Sequence, residues 1–97
     1  MTNPIFRPSA AADIERSYRW YEEQRVGLGD EFLEEISVTV DAVLARPRAY
    51  PVLHRDTRRA LVRRFPFALF YRLIDETIVV VACFHVRRKP SRWKRRR

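Results

Sequence analysis

The sequence predicts an α+β fold of one domain, in the order β, α, α, β, β, β, and three observations lead to it. The chain has 97 residues, of which 46% are apolar, enough for one hydrophobic core and too few for two. Apolar residues recur with helical spacing from Ser9 to Arg46 and with strand spacing from Arg58 to His85. Prolines and glycines separate these segments. We therefore expect a strand, a helical hairpin and three further strands.

Prolines and a capping residue define the first strand and the first helix. Residues Thr2 to Arg7 are predicted to form an edge strand, because Pro4 and Pro8 cannot donate a backbone hydrogen bond. Ser9 offers a capping hydroxyl to the helix that follows, and Asp13 favours the positive end of its dipole. The apolar face of this helix is predicted to contain Ala11, Ile14, Tyr18 and Tyr21.

The second helix is bounded by glycines and a proline. Gly27 and Gly29 break the first helix, Asp30 can cap the second, and Pro47 ends it. Its apolar face is predicted to contain Leu33, Ile36, Val40, Val43 and Leu44. The short connection between the two helices predicts a hairpin.

Three strands are predicted after a loop from Pro47 to Pro51. They cover Arg58 to Arg64, Phe67 to Ile74 and Thr77 to His85. The second alternates, with Phe67, Leu69, Tyr71 and Leu73 on one face. The third is apolar on both faces, so it is predicted to be a central strand, and Asp75 and Glu76 form the turn before it.

Charge is distributed unevenly along the chain. The net charge is +8, and Arg87 to Arg97 contain eight basic residues and no acidic one. Through Ala45 nine acidic residues exceed four basic ones, whereas sixteen basic residues exceed three acidic ones afterwards. Blocks of like charge repel one another and bind anionic partners. We expect a single domain at residues 1–90 and a mobile basic arm at residues 91–97.

The sequence contains no pattern typical of a metal site, a cofactor site or a membrane-spanning segment. Cys83 is the only cysteine, and His54 and His85 lack a metal-ligand spacing. No glycine-rich phosphate loop follows a strand. We predict no metal and no cofactor, and a buried, inert Cys83 thiol. With no signal peptide and no long apolar run, we expect a soluble cytoplasmic protein without a membrane partner.

One imidazole lies among many arginines, and this combination is compatible with RNA cleavage. His85 ends the last strand, and Arg59, Arg63 and Arg72 lie on strands that can pair near it. Cleavage through the 2′-hydroxyl needs a base, an acid and cations, and it needs no metal. A strand-end histidine bonded to a nearby carbonyl explains His85 equally well. In the arm, Trp93 can stack on a partner or cap the core.

Four features make the chain resemble the RelE/ParE superfamily of type II toxin–antitoxin toxins. They are Phe6-Arg7-Pro8 before a helix that starts Ser-Ala-Ala-Ala-Asp-Ile; the helical hairpin; the run from Arg63 to Tyr71; and the ending His85-x-Arg87-x-x-Pro90-x-x-Trp93. The resemblance covers nearly the whole chain. It implies a βααβββ fold with the helical hairpin packed on a curved, mainly antiparallel sheet. It also implies a cognate antitoxin from the same operon, usually acidic, in a toxin–antitoxin hetero-oligomer.

The superfamily divides by target, and the resemblance favours its ParE side. ParE-like toxins inhibit DNA gyrase without nuclease chemistry; here Arg87, Arg88, Arg92 and Trp93 would contact the target or the antitoxin. RelE-like toxins cut mRNA on the ribosome; here His85 would act as acid or base, with Arg59, Arg63 and Arg72 holding phosphate. A third possibility is a general nucleic-acid binder without toxicity.

Overall fold

A computed structural model describes residues 3–97, so Thr2 of the predicted first strand lies outside the described residues. The elements are β1 (Ile5–Phe6), α1 (Pro8–Gln24), α2 (Leu28–Ala45), β2 (Val52–His54), β3 (Thr57–Leu61), β4 (Phe67–Ile74), β5 (Thr77–His85) and α3 (Pro90–Lys94). The strands form one sheet in the order β1-β5-β4-β3-β2. β1 is parallel to β5, and the other pairs are antiparallel. The predicted α+β fold is confirmed.

The helix starts differ from the predicted ones. α1 is capped by Arg7 and begins with Pro8, not after Ser9, because proline has no N–H to leave unsatisfied at the first helical position. α2 begins directly after Gly27, whose φ of 93° favours glycine. The Glu22 side chain accepts hydrogen bonds from the backbone N–H groups of Gly27 and Gly29 at 2.9 and 2.8 Å. The Glu22 side chain thus caps the start of α2, the role predicted for Asp30.

The predicted buried faces of both helices are largely confirmed, with one position in each helix that differs. In α2 Phe32 is fully buried and Leu33 is 39% exposed, while the predicted Ile36 and Val43 are buried. In α1 Ala10 is buried in place of Ala11. Phe32 is buried in place of Leu33 because its aromatic ring fills the space between α1 and the loop before β4, where it packs on Tyr21 and Phe65.

The sheet separates two apolar clusters, one beneath the hairpin and one on the opposite, open face. The predicted alternation of β4 is confirmed, since Leu69 and Tyr71 face the helices whereas Ala68 and Phe70 face away. β5 pairs with both β1 and β4 and contributes to both clusters, as its continuous apolar run predicted. Trp93 of α3 completes the open-face cluster.

Three details of the strand region differ from the prediction or add to it. The short strand β2 was not predicted and forms the edge of the sheet. β3 ends at Leu61, not at Arg64, because the chain turns back to β4: Val62 N–H donates to the Phe67 carbonyl, and Arg64 has a φ of 69°. Asp75 and Glu76 form the predicted turn with φ of 49° and 65°, positive at both central positions as in a type I′ hairpin.

None of the helices in residues 3–97 is long and apolar enough to cross a membrane.

Candidate target-binding surface

The basic C-terminal segment folds back on the open face of the sheet. Pro90 occupies the first turn of α3 and Trp93 is only 7% exposed. The Trp93 ring stacks on Phe70, with centroids 4.4 Å apart and an interplanar angle of 16°. Trp93 thus caps the core, whereas the side chains of Arg92, Lys94 and Arg95 beside it are exposed. The mobility expected of residues 91–97 remains a prediction.

A buried ion pair joins this segment to α1. Asp13 is 2% exposed, and its Oδ2 accepts from Cys83 N–H and from an Arg96 Nη, each at 3.1 Å. The same Arg96 nitrogen donates to the Val81 carbonyl at 3.0 Å. These bonds provide hydrogen-bond partners for backbone groups of β5 beyond its short pairing with β1. The sequence reasoning assigned Asp13 only to the helix dipole and missed this pair.

The nearby Cys83 is buried, as predicted. Desolvation raises the pKa of its thiol far above the ordinary range, and the Asp13 charge adds to the effect. Since the thiolate is the nucleophilic form, Cys83 is chemically inert at neutral pH.

His85 faces the helices, on the side opposite to the open face. It pairs in register with Phe67, with the two ring centroids 5.5 Å apart. Its Nδ1 accepts a hydrogen bond from Arg87 N–H at 3.1 Å. This orientation depends on a β-bulge at Val81, because the extra residue reverses the facing of every later position in β5. His85 borders a cleft of about 530 Å³ that also contains Trp20.

The three arginines predicted to surround His85 are dispersed. Arg59 pairs with Phe70 and Arg72 pairs with Val79, so both face the open side. Arg72 also donates two 2.9 Å hydrogen bonds to Asp56, which lower the pKa of that carboxyl. Arg63 is exposed in the loop between β3 and β4. Only Arg59 shares a concavity with His85, one of about 270 Å³ that Arg88 and Lys94 also line.

The residues predicted to contact a target are gathered at the end of β5 and on α3. Arg87, Arg88 and Arg92 are exposed, and the Arg88 guanidinium lies 5.6 Å from the centre of the Phe84 ring. No group of three metal-ligating side chains occurs among residues 3–97. The surface presents exposed cations at the end of β5 and on α3, an arrangement that binds anions.

The fold matches a solved structure described as the chromosomal ParDE TA system from P. aeruginosa, with a TM-score of 0.65 and 19% sequence identity. The match covers 88% of this chain and 96% of the other. No curated protein sequence matches the chain. The fold is thus one found in toxin–antitoxin proteins.

Residues 5–90 match the family described as "ParE toxin of type II toxin-antitoxin system, parDE". The chain belongs to this family and is a ParE-like type II toxin. The resemblance to the RelE/ParE superfamily, with its ParE side favoured, is confirmed.

Proposed function

We propose that this toxin inhibits DNA gyrase by binding to it, and that a cognate antitoxin from the same operon neutralises it in a hetero-oligomer. Membership of the ParE family supports this proposal. The observation that carries it is the separation of the groups that a nuclease would need: His85 faces the helices, whereas Arg59 and Arg72 face the open side.

The separation weighs against mRNA cleavage for geometric reasons. A general base must lie within about 3 Å of the proton that it removes, and the cations must surround the same phosphate. The Arg72 guanidinium is already engaged by Asp56 in a two-bond ion pair. Phosphate held on the open face by Arg59 would therefore lack the Arg72 guanidinium, and the His85 ring pairs with Phe67 on the opposite face of the sheet.

The binding contacts are assigned to the exposed cations at the end of β5 and on α3. In this assignment Arg87, Arg88 and Arg92 contact gyrase or the antitoxin. Trp93 acts differently, because its ring is buried against Phe70 and holds α3 in place. The excess of basic residues after Ala45 suits an acidic antitoxin segment.

The test is a supercoiling assay with purified gyrase, plasmid DNA and ATP. The toxin is expected to inhibit supercoiling, and the triple variant Arg87→Gln, Arg88→Gln, Arg92→Gln to inhibit at least tenfold more weakly. A control variant, Arg19→Gln, Arg25→Gln, Arg46→Gln, removes the same charge from the helical hairpin and is expected to inhibit like the natural protein. Addition of the purified antitoxin is expected to restore supercoiling.

A parallel assay detects the alternative activity. The toxin is added to an in-vitro translation reaction, and the 5′ ends of a defined mRNA are mapped by primer extension. Intact mRNA is expected. New ribosome-dependent ends that disappear with His85→Ala, together with unimpaired gyrase, would overturn the proposal in favour of a RelE-like nuclease.

A further inference from the structure

A second concavity, of about 430 Å³, lies where the end of β2 meets α3. Its lining residues are His54, Arg55, Ser91, Lys94, Arg95 and Arg97. Four of these six side chains are cationic, and none is a carboxylate or an aliphatic side chain. The His54 ring lies 6.3 Å from the Trp93 ring, so the stacked aromatic pair beneath α3 supports one wall of the concavity.

The cations of this concavity lack acidic partners within the described residues. Arg55, Lys94, Arg95 and Arg97 form no ion pair with any carboxylate in residues 3–97. The nearest acidic residue along the chain, Asp56, accepts two hydrogen bonds from Arg72. These bonds are the main reason why the pKa of the Asp56 carboxyl is lowered, and the charge of Arg97 contributes less. The positive charge is therefore free to act on a ligand.

Lys94 joins this concavity to the one beside Arg59 and Arg88. Lys94 lines both, and neither contains an acidic residue. Together they form a cationic band across the open side of the sheet, made of Arg55, Arg59, Arg88, Lys94, Arg95 and Arg97. The seven ion-paired arginines lie outside this band; they are Arg16, Arg19, Arg25, Arg48, Arg64, Arg72 and Arg96.

We propose that the cationic band binds the phosphodiester backbone of a nucleic-acid duplex, independently of base sequence. A protein partner is normally held by apolar and aromatic side chains at the centre of its interface. The concavity at the end of β2 has no aliphatic side chain. The neighbouring concavity exposes Leu53 and Val86, but its aromatic residues Trp93 and Phe70 are buried, so it offers no exposed aromatic anchor. A phosphate backbone binds through charge alone, because neutralisation by lysine and arginine releases condensed counterions. The proposal does not depend on gyrase being the target.

The test measures the fluorescence anisotropy of a labelled 20-base-pair DNA duplex of mixed sequence as toxin is added, between about 50 and 200 mM NaCl. Each neutralised phosphate contributes about −0.9 to the slope of log K against log salt concentration, so six cations predict a slope of about −5. The variant Arg55→Gln, Arg95→Gln, Arg97→Gln should reduce the slope to about −2.7 and weaken binding at least tenfold at the lowest salt.

Three comparisons decide the outcome. The control variant Arg19→Gln, Arg25→Gln, Arg46→Gln has the same net charge and should keep nearly the full slope; equal weakening in both variants would overturn the proposal. A duplex RNA of the same length shows whether the band prefers DNA or RNA. Tighter binding of one duplex identifies that nucleic acid as the preferred ligand, and equal binding supports recognition of backbone charge alone. A poly-glutamate peptide that binds more tightly than both duplexes, and loses its affinity in the band variant, would reassign the surface to an acidic protein.

All six substituted side chains of the two triple variants are exposed, so both variants should fold. Circular dichroism and thermal unfolding check this before binding is compared. Salt-independent binding, or none at the lowest salt with a correctly folded toxin, would also refute the proposal, and either result leaves the gyrase assay unaffected.

Discussion

Replacing Asp13 with alanine is expected to lower the free energy of unfolding by about 3 kcal/mol. Two losses add up to this figure. Cys83 N–H would be left without its acceptor in the interior, which costs about 1–3 kcal/mol. Arg96 would lose its carboxylate, and a broken buried pair costs about 3–5 kcal/mol in full. Arg96 is 25% exposed and keeps its bond to the Val81 carbonyl, so the pair should lose only about 1 kcal/mol, well below the full value. With about 2 kcal/mol for the unpaired Cys83 N–H, the two losses come to about 3 kcal/mol.

The assay is thermal unfolding followed by circular dichroism, with urea unfolding as a second measure. For a domain of this size 1 kcal/mol corresponds to about 4–8 °C, so Asp13→Ala should lower Tm by roughly 12–24 °C. Asp13→Asn keeps an oxygen for Cys83 N–H and loses only the charge, so its loss should be intermediate. Glu15→Ala is the matched control, because Glu15 pairs with Arg19 on the exposed side of the same helix. It should change the free energy by less than about 0.5 kcal/mol.

A double-mutant cycle with Asp13→Asn and Arg96→Gln tests the physical cause. Side chains in direct contact should show a coupling of at least about 0.5 kcal/mol. The reasoning is refuted if Asp13→Ala loses less than about 1 kcal/mol, or if the two changes in the cycle are additive.

Three further predictions concern packing and ionisation. Trp93→Ala should destabilise the protein by about 3 kcal/mol in urea unfolding, because it removes the ring stacked on Phe70; Trp93→Phe should recover most of this, and a loss within about 0.5 kcal/mol for Trp93→Ala would contradict the buried placement. Burial raises the pKa of Tyr71 to about 12. The stability that this raised pKa contributes is therefore complete below about pH 10 and is lost between about pH 10 and 12. Absorbance at 295 nm should show the late ionisation of the Tyr71 phenol, and Tyr71→Phe should remove that signal. Gly29→Ala should cost about 1–3 kcal/mol in thermal unfolding, because the new Cβ would lie 2.7 Å from Tyr18 Cδ1 and 2.8 Å from the Tyr18 carbonyl; unchanged stability would show that the helices separate easily.

Local patterns explain why the element order could be predicted. The alternation from Phe67 to Leu73 and the glycines between the helices act within a few residues, so periodicity alone reveals them. The same is true of the turn at Asp75 and Glu76. The prediction of the buried helix faces was less accurate, because Phe32 and Leu33 are adjacent and both apolar. Only the shape of the space beneath the hairpin determines which of the two is buried.

The facing of His85 could not be predicted because it depends on one extra residue. Without the bulge at Val81, alternation from Ile78 would place His85 on the open face beside Arg59. Every residue from Ile78 to Phe84 is apolar or a cysteine, so no polar position marks the change of facing. The hypothesis that His85 and the arginines form one site assumed regular alternation along β5, and no residue in the strand indicated the bulge.

The Asp13–Arg96 pair was hidden for a different reason. The two residues lie at opposite ends of the chain, and only the parallel pairing of β1 with β5 brings α1 near the last residues. Sequence spacing carries no information about such a contact. The charge of Arg96 was therefore counted with the solvated arm, although its guanidinium partly neutralises a buried carboxylate.

The position of β5 in the sheet also sets the order of events during synthesis. β5 is the last strand along the chain, yet it lies between β1 and β4. At about 5–20 residues per second, β1 waits on the order of 4–15 s on the ribosome before its partner has been made. Contacts of such long sequence separation also close slowly, since the loop entropy must be overcome first. We therefore expect the helical hairpin to form on the ribosome before the sheet is complete, and the exposed cations at the end of β5 to take their places only after β5 has inserted between β1 and β4.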